Sequence, residues 1–252
     1  MSDDLPPAIP AATLVIFRDG PVGGAPELLL VERAKAMVFA GGALVFPGGR
    51  VDPGDYALAA TFGGEVDEDA HRIAAIRETV EEAGLPIGLD PAPADLVGLR
   101  AALHAGEPFG AALAAVSVRL RLDLLTPFAR WRPAHLNMRI FDTRFYLARL
   151  PADAPAATVD RTENSRLLWA TAAQVLADAD AGRVAIIYPT RRNLERLAQF
   201  DSFDAAVTHA QATPMRTITP FAEERDGRTH LCIPDDLGYP VTSEPMGGAM
   251  RG

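Results

Sequence analysis

Three carboxylates set the chemistry open to this sequence. Glu78, Glu81 and Glu82 stand at i, i+3 and i+4. On a helix that turns about 100° per residue they share one face. Ile73, Ile76, Val80 and Ala83 fall on the opposite face, so Asp69 to Leu85 reads as an amphipathic helix with a core side. Its polar side is not an ordinary mix of signs. Each pair of like charges at neighbour spacing costs about 0.2–0.5 kcal/mol. A hard divalent cation, which takes oxygen ligands, reverses that sign.

A glycine loop precedes the helix. Phe46-Pro47-Gly48-Gly49 lets backbone come close to a phosphate, because glycine tolerates tight geometry. Loop and carboxylates together suggest a cation holding a diphosphate. Each part alone has a plainer explanation. A run of Glu is usually a solvated face, Arg77 can pair with Glu81 at i, i+4, and Gly-Gly is usually a turn. The combination is far more specific than its parts.

The elements that position these residues are readable in order. Ala11 to Arg18 is apolar and β-branched, a buried strand, and Glu27 to Glu32 is its return across a Gly/Pro-rich loop. Ala43 to Phe46 is a short strand delivering the glycine loop. The helix has a readable start in Asp67, Glu68 and Asp69 and a stop in Gly84 followed by Pro86. Ala94 to His104 and Gly110 to Val118 read as helices, Leu120 to Arg130 and Arg139 to Leu150 as a strand pair, and Leu167 to Trp169 as a short strand. Thr171 to Ala181, Thr190 to Phe200 and Phe203 to Ala212 read as helices, and the Pro-rich tail from Thr213 as extended or looped. Strands interleaved with helices fit an α/β/α sandwich around a mixed β-sheet, with extra C-terminal helices.

Composition narrows the function. A chain of 252 residues that is 48% hydrophobic builds a real core in one domain, 1–252. A formal net charge of −9 argues against a nucleic-acid binder of the basic-patch kind, but not against a small anion beside a metal. Cys232 stands alone, so no disulfide forms within the chain, and it reads as a small buried hydrophobe. The histidines at 71, 104, 135, 209 and 230 lack metal-ligand spacing. No apolar run spans a membrane, and the acidic, Pro-rich N-terminus is unlike a secretory signal; the expectation is cytoplasmic.

These residues resemble the Nudix box, G-x5-E-x7-R-E-U-x-E-E-x-G-U with U apolar. Arg77 to Leu85 matches its second half, with Thr79 at an apolar position. Gly49 with Asp55 reads as the first half, Asp replacing Glu. Twenty-one residues separate Asp55 from Arg77 where the pattern has 7, an excess of 14. A second alignment, Gly63-x5-Asp69-x7-Arg77, also satisfies the spacing, so either Asp55 or Asp69 fills the acidic position. Tyr56 to about Val66 is expected to be a surface insertion carrying a short helix, and the chain from about 183 a C-terminal covering extension.

The approach to the box resembles the signature of coenzyme A diphosphatases, L-L-T-x-R-[SA]-x3-R-x3-G-x3-F-P-G-G. Arg33, Ala34, Gly42 and Phe46 keep its spacing; Val31 replaces Thr and Val38 the second Arg. With Arg139 to Tyr146, Glu163 and Trp169, Tyr188-Pro189-Thr190 and Pro234 to Pro240, the likeness extends to the long-insert, coenzyme A-processing branch and runs from about Leu29 to Pro240. The C-terminal Met250-Arg251-Gly252 is not a peroxisomal address.

The resemblance implies a metal-dependent diphosphatase. Glu78, Glu81 and Glu82 would bind Mg²⁺ or Mn²⁺, with Glu81, Glu82 and Glu163 as the catalytic set. Gly48 and Gly49 would shape the substrate loop, Arg33 would meet substrate phosphates, and Arg77 would hold Glu81 or an acidic loop residue. The implied substrate is coenzyme A or acyl-coenzyme A, cleaved to 4′-phosphopantetheine and adenosine 3′,5′-bisphosphate. Nucleotide sugars, ADP-ribose and dinucleotides are the alternatives within the class; a nucleotide-sensing module is the alternative outside it. The expected partner is a small nucleoside diphosphate derivative, with no nucleic acid and no membrane. A homodimer is compatible with the sequence, which sets no oligomeric state.

Overall fold

Two long apolar strands run side by side and set the direction of the sheet. β1 (Ile9–Arg18) pairs in parallel with a distant strand, Phe141–Arg149, from Ile9 opposite Phe141 to Phe17 opposite Arg149. The computed structural model describes residues 7–21, 23–34, 40–133, 140–160 and 163–246. Val38, His135, Arg139 and the C-terminal tripeptide lie outside them.

In chain order β1 is followed by β2 (Glu27–Arg33), β3 (Ala43–Val45) and β4 (Gly48–Arg50), then α1 (Pro53–Ala59) and α2 (Val66–Ala83). Next come β5 (Leu89–Asp90), α3 (Leu96–His104), α4 (Phe109–Ala115), β6 (Arg119–Leu120), a 3₁₀ turn at Leu122–Leu124, β7 (Thr126–Trp131) and β8 (Phe141–Arg149). The rest is β9 (Asn164–Thr171), α5 (Ala172–Asp180), β10 (Ala185–Ile186), α6 (Tyr188–Leu197), α7 (Phe203–Ala212), β11 (Thr217–Ile218), β12 (Phe221–Arg225), β13 (Arg228–Cys232) and β14 (Ser243–Pro245). The central mixed sheet has the order β10-β3-β2-β1-β8-β7-β11, with β4 also on β1 and β9 on β2.

Alternation along the strands builds a core on each face. Ala12, Leu14 and Ile16 of β1, with Tyr146 and Ala148 of β8, pack under α2, α3 and α4. Val15, Phe17, Phe145 and Leu147 point the other way, to Ala172 and Val175, Leu194 and Leu197, and Ala206 and Ala210 of the last three helices. The result is the expected mixed α/β sandwich. Cys232 is fully buried, as a small hydrophobe is. Within the second core, the indole of Trp131 donates to Asn193 Oδ1 (3.2 Å) and Tyr239 Oη (3.1 Å), and Tyr239 donates to Asn193 (2.8 Å), which ties the tail to α6.

Three stretches differ from the sequence expectation. Leu120 to Arg130 is not one strand, since the 3₁₀ turn at Leu122–Leu124 separates β6 from β7. The tail is not simply extended: β12, β13 and β14 form a three-stranded antiparallel sheet. Its first strand is exposed at every position, so the sequence carried no alternating apolar signal there. The stretch after Asp55 is not wholly on the surface either. Ala59 is fully buried, Tyr56 and Leu58 pack against the core, and only the turn from Ala60 to Asp67 is exposed throughout.

Loop shortening itself is cheap, roughly 0.6 kcal/mol per halving. Deleting Thr61 to Gly64 is therefore expected to shift the urea-unfolding stability by less than about 1 kcal/mol. Excising all 14 extra residues strips three apolar side chains from the core and is expected to cost about 3–5 kcal/mol. Equal costs for the two deletions would contradict this division.

Candidate active site

α2 carries the site because its two faces are chemically opposite. Ile73, Ile76, Val80 and Ala83 are fully buried in the core beneath the helix. Thr79, at a position where an apolar residue is expected, is also fully buried; its hydroxyl donates to Ala75 O (2.7 Å), which leaves only its methyl to pack. Gly84 ends the helix in the left-handed region at φ 63°, and its N–H returns to Val80 O (3.0 Å).

The end of α2 nearest the carboxylates is locked from outside. Arg100 Nε donates to Glu81 O (2.7 Å), Arg100 Nη2 to Glu82 O (3.0 Å), and Thr158 N–H to Ala83 O (2.9 Å). His104 Nε2 lies 3.2 Å from Glu81 O. These partners satisfy carbonyls that a helix end leaves open, and the Arg100 cation suits the negative end of the dipole.

Arg77 gathers the acidic groups. Its Nε donates to Asp55 Oδ1 (3.1 Å) and its Nη2 to Asp55 Oδ2 (3.0 Å) and Arg50 O (2.9 Å). Its Nη1 donates to Glu78 Oε1 (2.8 Å) and Glu81 Oε1 (3.0 Å). The choice between Asp55 and Asp69 therefore falls to Asp55, which α1 carries inward until it is 1% exposed. Burial works against the Arg77 charge, but Glu78, Asp55 and Glu81 outweigh it and hold the guanidinium charged beyond its ordinary range.

The glycine loop closes over the carboxylates as β4. A side chain at Gly49 would put its Cβ 2.3 Å from Glu78 Oε1, and one at Gly48 would put it 2.4 Å from Ala12 O. Both positions are glycine because backbone and carboxylate approach so closely. Gly48 N–H donates to Glu82 Oε2 (2.9 Å). The other oxygen, Oε1, accepts from Asn164 Nδ2 (2.9 Å), a residue the sequence did not single out. Burial pushes the Glu82 carboxyl up to about 7 against these two bonds, and pushes Glu78 up to about 8 against the pull of Arg77.

Other expected site residues fall around this centre. Arg33 ends β2 opposite Asn164 in register, and its charge favours ionised Glu82. Glu163 is exposed; its N–H donates to Asp160 Oδ2 (2.9 Å) and its carbonyl accepts from Ala34 (2.8 Å). Among the described residues its side chain makes no hydrogen bond to Glu78, Glu81 or Glu82. A cavity of about 200 Å³ opens at the other end of α2, beside Glu68, Arg130, Arg144 and Tyr146, and none of the three carboxylates lines it.

Among the described residues no three His, Cys, Asp or Glu side chains are already gathered into an ion cage. Arg77 engages Glu78 and Glu81, while Gly48 and Asn164 engage Glu82. The donor set nevertheless fits a hard divalent cation. All three groups are carboxylates on one face, and Glu78 lies in a cradle that a single Cβ at Gly49 would fill.

Without a cation, burial of Glu78 and Glu82 is unfavourable once they ionise. A folded-state pKa raised above the unfolded value means the native state holds its proton more tightly, so stability is lost as pH rises through the folded pKa. In EDTA the melting temperature is expected to fall between about pH 5 and pH 8, the window set by Glu82 at about 7 and Glu78 at about 8. Mn²⁺ at pH 8 is expected to restore it. A melting temperature that rises across that window in EDTA would contradict the burial argument.

No protein-family model matches the chain. A curated protein of Caenorhabditis elegans, "Putative nudix hydrolase 7", is 27% identical over 222 residues, covering 84% of this chain and 70% of that protein. The crystal structure of a NUDIX hydrolase from Alicyclobacillus acidocaldarius matches with a TM-score of 0.67 at 28% identity, covering 80% of this chain and 96% of that one. Nudix hydrolases generally use divalent metal ions. With the carboxylate helix and its glycine strand, these two relatives support a place for the chain in the Nudix hydrolase superfamily, as an enzyme of that hydrolase class.

Proposed function

We propose that this chain is a metal-dependent diphosphatase that acts on coenzyme A or an acyl-coenzyme A in the cytoplasm. The observation that carries the hydrolase chemistry is the set of like-charged carboxylates on α2, Glu82 buried and Glu78 and Glu81 half-buried, facing a glycine strand. Glu78, Glu81 and Glu82 would hold Mg²⁺ or Mn²⁺. When bound, the ion neutralises the diphosphate and lowers the pKa of a water.

The chain's own residues do the rest. Arg77 holds Glu78 and Glu81 side by side and anchors them to Asp55. Gly48 N–H and Asn164 fix Glu82 from both sides. Gly49 keeps the space over Glu78 free of side chain. Arg33, on the Glu82 side of the site, supplies a cation for the phosphates that remain on the adenosine half. The substrate assignment rests on the spacing from Leu29 to Gly49 and on this position of Arg33.

A substrate panel with Mg²⁺ and with Mn²⁺, read by product masses, tests the proposal. Coenzyme A is expected to give 4′-phosphopantetheine and adenosine 3′,5′-bisphosphate, and Glu82→Gln to lower kcat by orders of magnitude. A charge-assisted contact to phosphate contributes about 1.5–3 kcal/mol, so Arg33→Ala is expected to lower kcat/KM about ten- to a hundredfold. Efficient hydrolysis of ADP-ribose, nucleotide sugars or dinucleotides with none of coenzyme A would overturn the substrate while leaving the hydrolase chemistry. Nucleotide binding with no cleavage under either metal would overturn the enzyme reading in favour of a sensing module.

A further inference from the structure

Among the described residues, Asn164 has one half of its amide committed to the carboxylate cluster and the other half without a partner. It is 1% exposed. Its Nδ2 donates to Glu82 Oε1 at 2.9 Å. Its Oδ1 is buried and, among the described residues, makes no hydrogen bond. The orientation follows from chemistry, because a carboxylate accepts and only the NH₂ side can face it. The carbonyl oxygen is then the half of the amide that does not meet Glu82.

A buried amide oxygen without a partner costs about 1–3 kcal/mol, so this placement calls for a ligand. The residue is also built in. Asn164 N–H donates to Asp160 Oδ1 (3.1 Å), and the next oxygen of the same carboxylate takes the N–H of Glu163. Asn164 opens β9, opposite Arg33 across a register shift in the β2–β9 ladder. It therefore cannot relax its side chain by shifting its backbone.

We infer that Asn164 is a positioning residue of the cation site, orienting Glu82 through Nδ2 and presenting Oδ1 as a neutral oxygen to the ion or to a water on it. The inference rests on the reading of α2 as a divalent-cation site. Neutral amide oxygens are ordinary partners for hard cations and for their water shell. Glu163, the acid next to it, is exposed. The side chain delivered to the carboxylates from β9 is thus an amide.

The test is calorimetric titration of the purified full chain with MnCl₂, with no substrate present, alongside melting temperatures in EDTA. Asn164→Leu removes both halves of the amide and is expected to weaken Mn²⁺ binding about 10- to 100-fold. Asn164→Asp loses the donor but keeps an oxygen where Oδ1 stands, and is expected to bind Mn²⁺ at least as tightly as the wild type. It also carries the test if the Leu variant does not fold. An unchanged Mn²⁺ affinity in Asn164→Leu with only a lowered melting temperature would overturn the inference and leave the cation site standing. Binding by Asn164→Asp as weak as in the Leu variant would overturn the role of Oδ1. A wild-type chain that takes up no Mn²⁺ would overturn the cation site itself, and the inference with it.

Discussion

One buried guanidinium decides whether the acidic face of α2 can exist. Arg77 is 8% exposed and meets Asp55, Glu78 and Glu81 together with the carbonyl of Arg50. Removing one partner from a buried pair typically costs about 3–5 kcal/mol, because the charge left behind has no water to turn to. Here one cation faces four carboxylates, with Asp52 at 3.8 Å the fourth, and Glu82 stands beside them with only neutral hydrogen-bond donors. The cluster is therefore negative and under-compensated, which is why burial drives two of its members toward protonation. Among the described residues the cation bonded to this cluster is Arg77, and Arg33 acts on Glu82 through its charge, so a bound cation would relieve the charge that remains.

The remaining structure holds that cluster rigid. The N-terminal end of α2 is fixed by Arg144, which pairs with Asp67 and with Glu68 (2.7 Å). The opposite end is fixed by Arg100, His104 and Thr158 on its last carbonyls. Beneath, four fully buried apolar side chains set the helix's rotation, and above it β4 is pinned to β1 at Ala11, Ala12 and Thr13. Sites carried on helices and strands keep their geometry better than sites on loops. The carboxylates have both.

What the sequence disclosed follows the range of the interactions involved. The core face of α2, its stop at Gly84 and the shared face of the three Glu residues are local, set by helical periodicity and by a residue that adopts positive φ readily. The partner of Arg77 was ambiguous because Asp69 keeps the box spacing while Asp55 follows the Phe-Pro-Gly-Gly loop. It is decided by α1, the short helix expected in the insertion, which starts earlier at Pro53 and so folds Asp55 back beneath the guanidinium. Asn164 carried no signal, because its contact with Glu82 spans 82 positions and Asn has no pattern of its own. The sheet of β12 to β14 was missed for the opposite reason: β12 is exposed throughout and β13 turns inward only at its end, so neither shows apolar alternation.

The central claim is that the face formed by Glu78, Glu81 and Glu82 is a divalent-cation site under a glycine strand. The direct measurement is an anomalous difference map from crystals grown or soaked with Mn²⁺. The account predicts a strong peak among these three carboxylates, adjoining Gly49 and Asn164. Ordered crystals with no peak there, or with manganese bound only elsewhere on the chain, would contradict it.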